Sequence, residues 1–175
     1  MSAGEIASDA REYGRRYTKV YDIMSKLVVA ALGGPTLTDW RAYRDNCLLQ
    51  RGSHAFQANL FPLGKPSLPA WPVEYASLFG LRSGREYYER VRGARFELLR
   101  SNHKRYAPKV TVCFGRTGWS DFGDVFALRD GFDDSIAGCR IYPSGVVLTP
   151  FFNYPYLKGR IEELGQRLHH LLVGA

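Results

Sequence analysis

The chain has 175 residues, 45% hydrophobic and 23% charged, a balance typical of one globular domain with a single core. This composition excludes disordered, collagen-like and small disulfide-bonded classes. Lys and Arg outnumber Asp and Glu by 24 to 17, and the formal charge of +7 favours anionic partners. No apolar run is long enough to cross a membrane, and the first residues lack the apolar core of a signal peptide. We therefore expect a cytoplasmic protein without a membrane partner.

The three cysteines, Cys47, Cys113 and Cys139, are widely spaced and form no CxxC pair. An odd, scattered set predicts free thiols in a reducing compartment. We expect no metal, no cofactor and a monomeric chain.

The N-terminal third is predicted to be helical. Val20, Met24, Leu27 and Ala31 recur at helical spacing, and the glycines at 33 and 34 can end that helix. An alternative treats LVVAAL (27–32) as a strand that leads into a Gly-Gly-Pro loop. A second helix is expected over roughly 40–49.

The middle of the chain predicts one strand and two helices. The aromatic and apolar segment from 54 to 61 fits a strand. A short helix is expected over 73–79 and a longer one from Ser83 to about 106. Glu86 lies three residues after Ser83, the spacing of a capping box.

The last third alternates strands and helices. PKVTVCFG (108–115) is apolar on both faces, which indicates a buried parallel strand. A Gly-Arg-Thr-Gly turn then enters a helix that runs to about 126. GVVLTPFF (145–152) is predicted as the last strand, with 139–142 as its hairpin partner and a helix over 157–173 after it. We expect a single α/β domain (1–175), with a helical part (1–50) and a core (51–175) built as a short, mostly parallel sheet between helix layers.

The segment from 82 to 109 is strongly basic. It carries nine Lys or Arg against three Glu, with Tyr87, Tyr88 and Tyr106 interleaved. Clustered cations with aromatic residues are typical of a nucleic-acid surface, and Arg92 and Arg95 are its central candidates. The alternative is a solvated helix face with ion pairs such as Glu86–Arg90.

Three other places are candidate sites. Asn59, near the end of the predicted strand, offers a donor and an acceptor for a base edge, or it caps a turn. The turn with Arg116 follows a strand end, where α/β proteins bind ligands, although a tight turn without a ligand has the same sequence. TPFFNYPY (149–156) places aromatic residues after the last strand, for stacking on bases or for core packing. No HExxH or GxSxG pattern is present, so the catalytic residues are unknown.

Three segments together resemble the uracil-DNA glycosylase superfamily. FQANLFPLGKP (56–66) is similar to the strand that ends in Asn in the single-strand-selective branch of that family. PKVTVCFGRTGW (108–119) resembles its Pro-Lys-Val-hydrophobic-Gly strand and the helix after it. VVLTPFFNYPYLKG (146–159) occupies the place of its His-Pro-Ser motif and intercalating loop.

The resemblance implies recognition of a flipped base and hydrolysis of its N-glycosidic bond. It implies a base pocket with Asn59 on the base edge, and the base-binding set is Asn59, Phe61, Phe151 and Asn153. The residues expected to contact DNA are Arg92, Arg95, Arg116, Tyr154, Tyr156 and Lys158.

The chain departs from the family in two places. The Gly-rich first motif, whose Asp or Asn positions the attacking water, either lies upstream of this chain or survives in altered form at the Gly33-Gly34-Pro35 turn. Alignment of Pro150 with the family's proline puts Phe151 at the His position and Asn153 at the Ser position. A DNA glycosylase is therefore one expectation. The alternatives are an inactive nucleic-acid-binding module of the same fold and an unrelated α/β nucleotide-processing protein.

Overall fold

A computed structural model describes residues 18–34, 40–61, 71–129, 131–136, 138–151, 157 and 159–174. The elements in chain order are α1 (Thr18–Ala31), α2 (Trp40–Asn46), α3 (Val73–Phe79), α4 (Gly84–Tyr106), β1 (Thr111–Phe114), a 3-10 turn (Arg116–Gly118), α5 (Trp119–Phe126), β2 (Arg140–Ile141), β3 (Val146–Thr149) and α6 (Ile161–Val173). The chain divides into two compact units. The first comprises Met1–Gln57, Lys109–Trp119 and Asp130–Ala175, and the second comprises Ala58–Pro108 and Ser120–Arg129.

The sheet belongs to the first unit and has the order β1-β3-β2. β1 is parallel to β3, with Val112 opposite Val147, which confirms the parallel strand predicted within 108–115. β2 is antiparallel to β3, with Ile141 opposite Val147, which confirms the predicted hairpin. The protein is therefore broadly α/β, with a small mixed sheet in place of a mostly parallel one. The hairpin itself makes the sheet mixed, because so short a connection returns the chain antiparallel.

The hairpin turn requires a glycine at position 145. Gly145 has a φ of +79° in the left-handed region. A Cβ on Gly145 would lie 2.3 Å from the carbonyl oxygen of Lys109, so a side chain cannot fit. This close approach brings the start of β1 against the start of β3, where the N–H of Thr111 donates to the Gly145 carbonyl at 3.0 Å.

The core of the first unit is aliphatic and lies between α1, α6 and one face of the sheet. Val147, Leu157 and Leu164 are completely buried, and Leu27 from α1 joins the same cluster. α1 and α6 approach each other closely at a small-residue contact. A Cβ on Gly165 would lie only 2.3 Å from the Cβ of Ala30.

α1 ends as the glycine signal predicts. The N–H of Gly34 donates to Val29 and that of Gly33 to Ala30, both at 3.0 Å, and Gly33 has a φ of +82°. This pair of bonds is a Schellman motif, which satisfies the last carbonyls of the helix. The helix prediction is confirmed, and the alternative of a strand over 27–32 is wrong.

The predicted strand over 54–61 is wrong. Residues 54–60 are irregular and pair with no strand among the described residues. The carbonyls of Asn59 and Leu60 instead accept hydrogen bonds from the guanidinium of Arg95. These carbonyls are therefore satisfied by a side chain and not by a ladder, which an apolar pattern alone does not distinguish.

The second unit is built around α4, and its two predicted helices are confirmed over Val73–Phe79 and Gly84–Tyr106. The Ser83 hydroxyl accepts the N–H of Glu86 at 3.2 Å, and the Glu86 carboxylate accepts the N–H of Arg82 at 2.8 Å. Both bonds satisfy N–H groups around the helix start. The interior of this unit is mainly aromatic. Its ring contacts involve Phe61, Trp71, Tyr75, Tyr87, Tyr88 and Phe96.

Candidate nucleic-acid interface

The outer face of α4 carries cations that extend along most of the helix. Arg90, Lys104 and Arg105 are exposed and form no ion pair with any carboxylate among the described residues. Arg90 and Lys104 are fourteen residues apart, which is roughly 21 Å along an α-helix and within about 40° in rotation. The two charges therefore lie on one face, spaced for separate phosphates.

Two ion pairs on α4 fit the alternative of a solvated, paired surface better. Arg85 binds Glu89 at 2.8 Å, and Arg100 approaches Glu97 at 3.4 Å. The suggested Glu86–Arg90 pair is not formed, since the Glu86 carboxylate accepts the Arg82 N–H instead. The exposed cations of α4 that form no ion pair among the described residues are therefore Arg90, Lys104 and Arg105.

Arg92, a predicted DNA contact, is engaged inside the second unit. Its guanidinium forms an ion pair with Asp124 and lies 3.7 Å from Asp121. The same group lies over the Phe96 ring at 4.8 Å and near that of Tyr88 at 5.7 Å. Arg92 therefore links α4 to the acidic face of α5, and its contact with DNA stays a prediction.

Arg95 binds the segment that carries two of the predicted base-binding residues, Asn59 and Phe61. Its Nε donates to the Leu60 carbonyl at 3.1 Å and its Nη2 to the Asn59 carbonyl, which holds the irregular segment on α4. The Phe61 ring follows directly and packs 5.1 Å from the Tyr88 ring. Asn59 is exposed on this surface, whereas Phe61 is partly enclosed by rings and so has less area for stacking.

The Tyr88 hydroxyl donates a hydrogen bond of 2.6 Å to a carboxylate oxygen of Asp121. That hydrogen bond, with a smaller contribution from burial, raises the pKa of the Tyr88 phenol. Tyr88 therefore stays protonated at neutral pH, and the pair acts as a tie between α4 and α5.

A second group of predicted residues lies in the first unit, at the carboxyl ends of the parallel strands. We define the edge cluster as Phe114, Gly115, Arg116, Trp119, Arg140 and Phe151. The Gly115 N–H donates to the Thr149 carbonyl at 2.9 Å, and the Phe114 and Phe151 rings meet edge to face at 5.7 Å. Phe151 is 42% exposed, so the cluster combines packed and accessible aromatic surface.

The turn at Gly115 leaves space within the edge cluster. Gly115 has a φ of +103°, and apart from its chain neighbours no described atom lies within 4 Å of the position that its Cβ would occupy. The indole N–H of Trp119 donates to the Thr149 carbonyl at 3.1 Å, which fixes the ring against the end of β3. The predicted turn and the helix to residue 126 are both confirmed.

Sequence analysis did not identify Arg140 as a member of this edge. Arg140 begins a strand of two residues, and its guanidinium lies 5.2 Å from the Trp119 ring centre. Arg116 lies over the same ring at 5.5 Å. The signal in the sequence is weak, because a lone arginine in a short hairpin has no periodicity that points to a partner.

The two buried thiols are chemically unreactive. Burial raises the pKa of Cys113 to about 12 and that of Cys139 to about 11, the latter despite the nearby Arg116. Both are therefore protonated at neutral pH and are poor nucleophiles. Cys47 is exposed, and all three cysteines are free.

Four predicted site residues, Asn153, Tyr154, Tyr156 and Lys158, lie outside the described residues. Asn59, Phe61, Arg92 and Arg95 belong to the second unit, whereas Arg116 and Phe151 belong to the first. Within the described ranges, no three His, Cys, Asp or Glu side chains come together as a metal site would need. The helices described there are all too short or too polar for a membrane span.

Comparison with protein-family models, with curated proteins and with solved structures finds no match to this chain.

Proposed function

We propose that the protein binds nucleic acid and that the outer face of α4 is its phosphate-contact surface. The observation that carries this proposal is the pair of exposed cations, Arg90 and Lys104, on one helix face without carboxylate partners in the described part of the chain. Arg105, at the end of the helix, extends the charge.

Unpaired cations favour a polyanion for a physical reason. Duplex DNA carries one charge per about 1.7 Å of axis and a layer of condensed counterions, which bound Lys and Arg release. An ion pair within the protein removes part of that gain. Arg90 and Lys104 are therefore stronger candidates than Arg92, whose guanidinium already has a carboxylate.

Fluorescence anisotropy with a labelled duplex and a labelled single strand tests this proposal. We expect the double variant Arg90→Gln/Lys104→Gln to bind about tenfold or more weakly, since each lost phosphate contact removes a charge-assisted bond. The matched control is Lys26→Gln/Arg41→Gln, which removes the same charge near Trp40 in the first unit. Equal losses in the two double variants would show a general charge effect and contradict the proposal.

A second candidate function is excision of a damaged base, as the uracil-DNA glycosylase resemblance implies. One observation favours it. The exposed Phe151 ring and the open turn at Gly115 lie together at the carboxyl ends of two parallel strands, where open α/β sheets bind ligands. A ring in that position can stack on an extruded base.

Incubation of the wild-type protein with an oligonucleotide that contains uracil tests this activity. Release of free uracil and an alkali-labile abasic site is the expected product, and Phe151→Ala should reduce its rate. An oligonucleotide that stays intact at protein concentrations that saturate binding would contradict the excision activity. Binding would then be the only function proposed for the protein.

A further inference from the structure

Arg140 is held by two aromatic rings of the first unit. Its guanidinium carbon lies 4.6 Å from the centre of the Phe132 ring and 5.2 Å from that of Trp119. Contacts over ring faces attract the cation but satisfy none of its N–H groups. No hydrogen bond or ion pair to Arg140 occurs in the part of the chain that the structure describes, and the residue is exposed. Its N–H edge is therefore available to an external acceptor.

Arg116 shares the Trp119 ring and reaches the same end of the sheet. Its Cζ lies 5.5 Å from the ring centre. The position of a Cβ on Gly138 would be 3.4 Å from Arg116 Nη2 and 3.4 Å from Pro150 Cγ. The Arg116 guanidinium and Pro150, the first residue after β3, therefore both border Gly138. Two positive charges thus share one indole at the carboxyl end of the strands.

The cluster around Trp40, in the same unit, is a comparison in which carboxylates take part. Lys26 and Arg41 lie 4.6 and 4.5 Å from the Trp40 ring centre, and Arg44 is the third cation there. Arg44 binds Asp22 at 2.5 Å and Asp45 at 2.8 Å, so two carboxylates offset part of the charge of the three cations there. Trp40 is also buried. The Trp119 cluster differs because Arg140 has no such carboxylate among the described residues.

We propose that Arg140 binds the phosphate group of a phosphate ester, with Trp119 and Phe132 holding its guanidinium in place and Arg116 adding positive charge at the same ring. A planar guanidinium matches two phosphate oxygens, and a stacked one is already ordered before the ligand arrives. This site belongs to the first unit, whereas the α4 surface belongs to the second. It rests on the proposed function only where the ester belongs to a nucleic-acid strand.

Isothermal titration calorimetry of the full chain with adenosine monophosphate, with adenosine and with a single-stranded oligonucleotide tests this site. We expect the monophosphate or the strand to bind and adenosine to bind at least tenfold more weakly than the monophosphate. Arg140→Gln should lower the affinity for the phosphate ligand about tenfold, the scale of one lost charge-assisted pair. Arg140→Lys keeps the charge but not the planar pair of N–H donors. Its affinity for the phosphate ligand should therefore lie between those of Arg140→Gln and the wild-type protein.

Arg41→Gln is the matched control, because it removes a cation from the Trp40 ring and leaves Trp119 untouched. Unchanged thermal unfolding of Arg140→Gln shows that the fold is retained, as expected for an exposed side chain. Binding of the monophosphate without binding of DNA would support this site and contradict the α4 proposal. Binding of DNA that Arg140→Gln leaves unchanged, with no binding of the monophosphate, would overturn the site alone. Equal weakening in Arg41→Gln and Arg140→Gln would also overturn it.

Discussion

The two compact units hold their folds with different side chains. In the first unit, aliphatic residues such as Val147, Leu157 and Leu164 are fully buried between helices and sheet. In the second unit, aromatic rings form much of the interior beside Leu81 and Val125, and Val73 and Leu78 on α3 are 76% and 72% exposed. The first unit therefore depends mainly on buried apolar volume, whereas the second depends more on specific polar ties.

The polar contacts of the second unit involve arginines that the sequence presents as surface charges. Arg92 and Arg95 look like surface cations in the sequence, yet one binds Asp124 and the other binds two backbone carbonyls. Engaged and unpaired arginines lie on the same helix, so a count of charges overestimates the surface open to a partner. The comparison separates residues that hold the unit together from residues that can bind.

The largest expected effect is the loss of core volume in the first unit. Leu164→Ala should destabilise the protein by about 2–5 kcal/mol, because a fully buried leucine leaves a cavity. The control is Leu98→Ala on α4, where the side chain is 48% exposed and a loss of less than about 0.5 kcal/mol is expected. Urea unfolding followed by circular dichroism measures both. Similar losses would contradict the assignment of the main core to α1, α6 and the sheet.

The next effect compares two helical glycines. Gly165→Ala should cost about 1–3 kcal/mol, since its new methyl group would overlap Ala30 and push α1 away from α6. Gly93→Ala on α4 meets open space and should stabilise the protein by about 0.5–1 kcal/mol through helix propensity. Thermal unfolding of both variants checks the signs. A stabilising Gly165→Ala would show that the helices are not in close contact there.

A smaller effect separates the two kinds of arginine on α4. Arg92→Gln should destabilise the protein by about 1 kcal/mol, a modest value because its side chain is 40% exposed and water screens the ion pair. Arg90→Gln removes an exposed cation without a described partner and should change stability by less than about 0.5 kcal/mol. Equal changes in urea unfolding would remove the distinction between structural and free cations.

The smallest perturbation is chemical labelling of the thiols. Under native conditions at pH 8, iodoacetamide should modify Cys47 alone, because Cys113 and Cys139 are buried and their raised pKa values keep them protonated. Mass spectrometry after brief labelling measures the sites. In denaturant all three should react, and rapid native labelling of Cys113 would contradict its burial in the sheet.

Helix ends and buried strands could be predicted from this sequence because local chemistry determines them. Ser83 has a capping hydroxyl and begins α4 as expected. Gly33 has a conformation that favours glycine and ends α1 as expected. The strand within 108–115 is apolar on both faces, and its parallel pairing follows from that pattern.

The errors came from contacts between distant residues. The 54–61 segment has a strand-like pattern, but Arg95 satisfies its carbonyls from 35 and 36 residues away. Arg140 was missed for the same reason, since its importance comes from Trp119 and Phe132 and not from its neighbours in sequence. Residue patterns indicate which side chains are charged, whereas tertiary contacts decide which of those charges are already paired.

The salt dependence of DNA binding tests the central claim most directly. We expect the logarithm of the association constant for a duplex to fall linearly with the logarithm of salt concentration. The magnitude of this negative slope should be smaller by about 2 in Arg90→Gln/Lys104→Gln, because two phosphate contacts are lost. Binding that does not respond to salt, or a slope that the double variant shares with the wild-type protein, would contradict a phosphate-contact surface on α4.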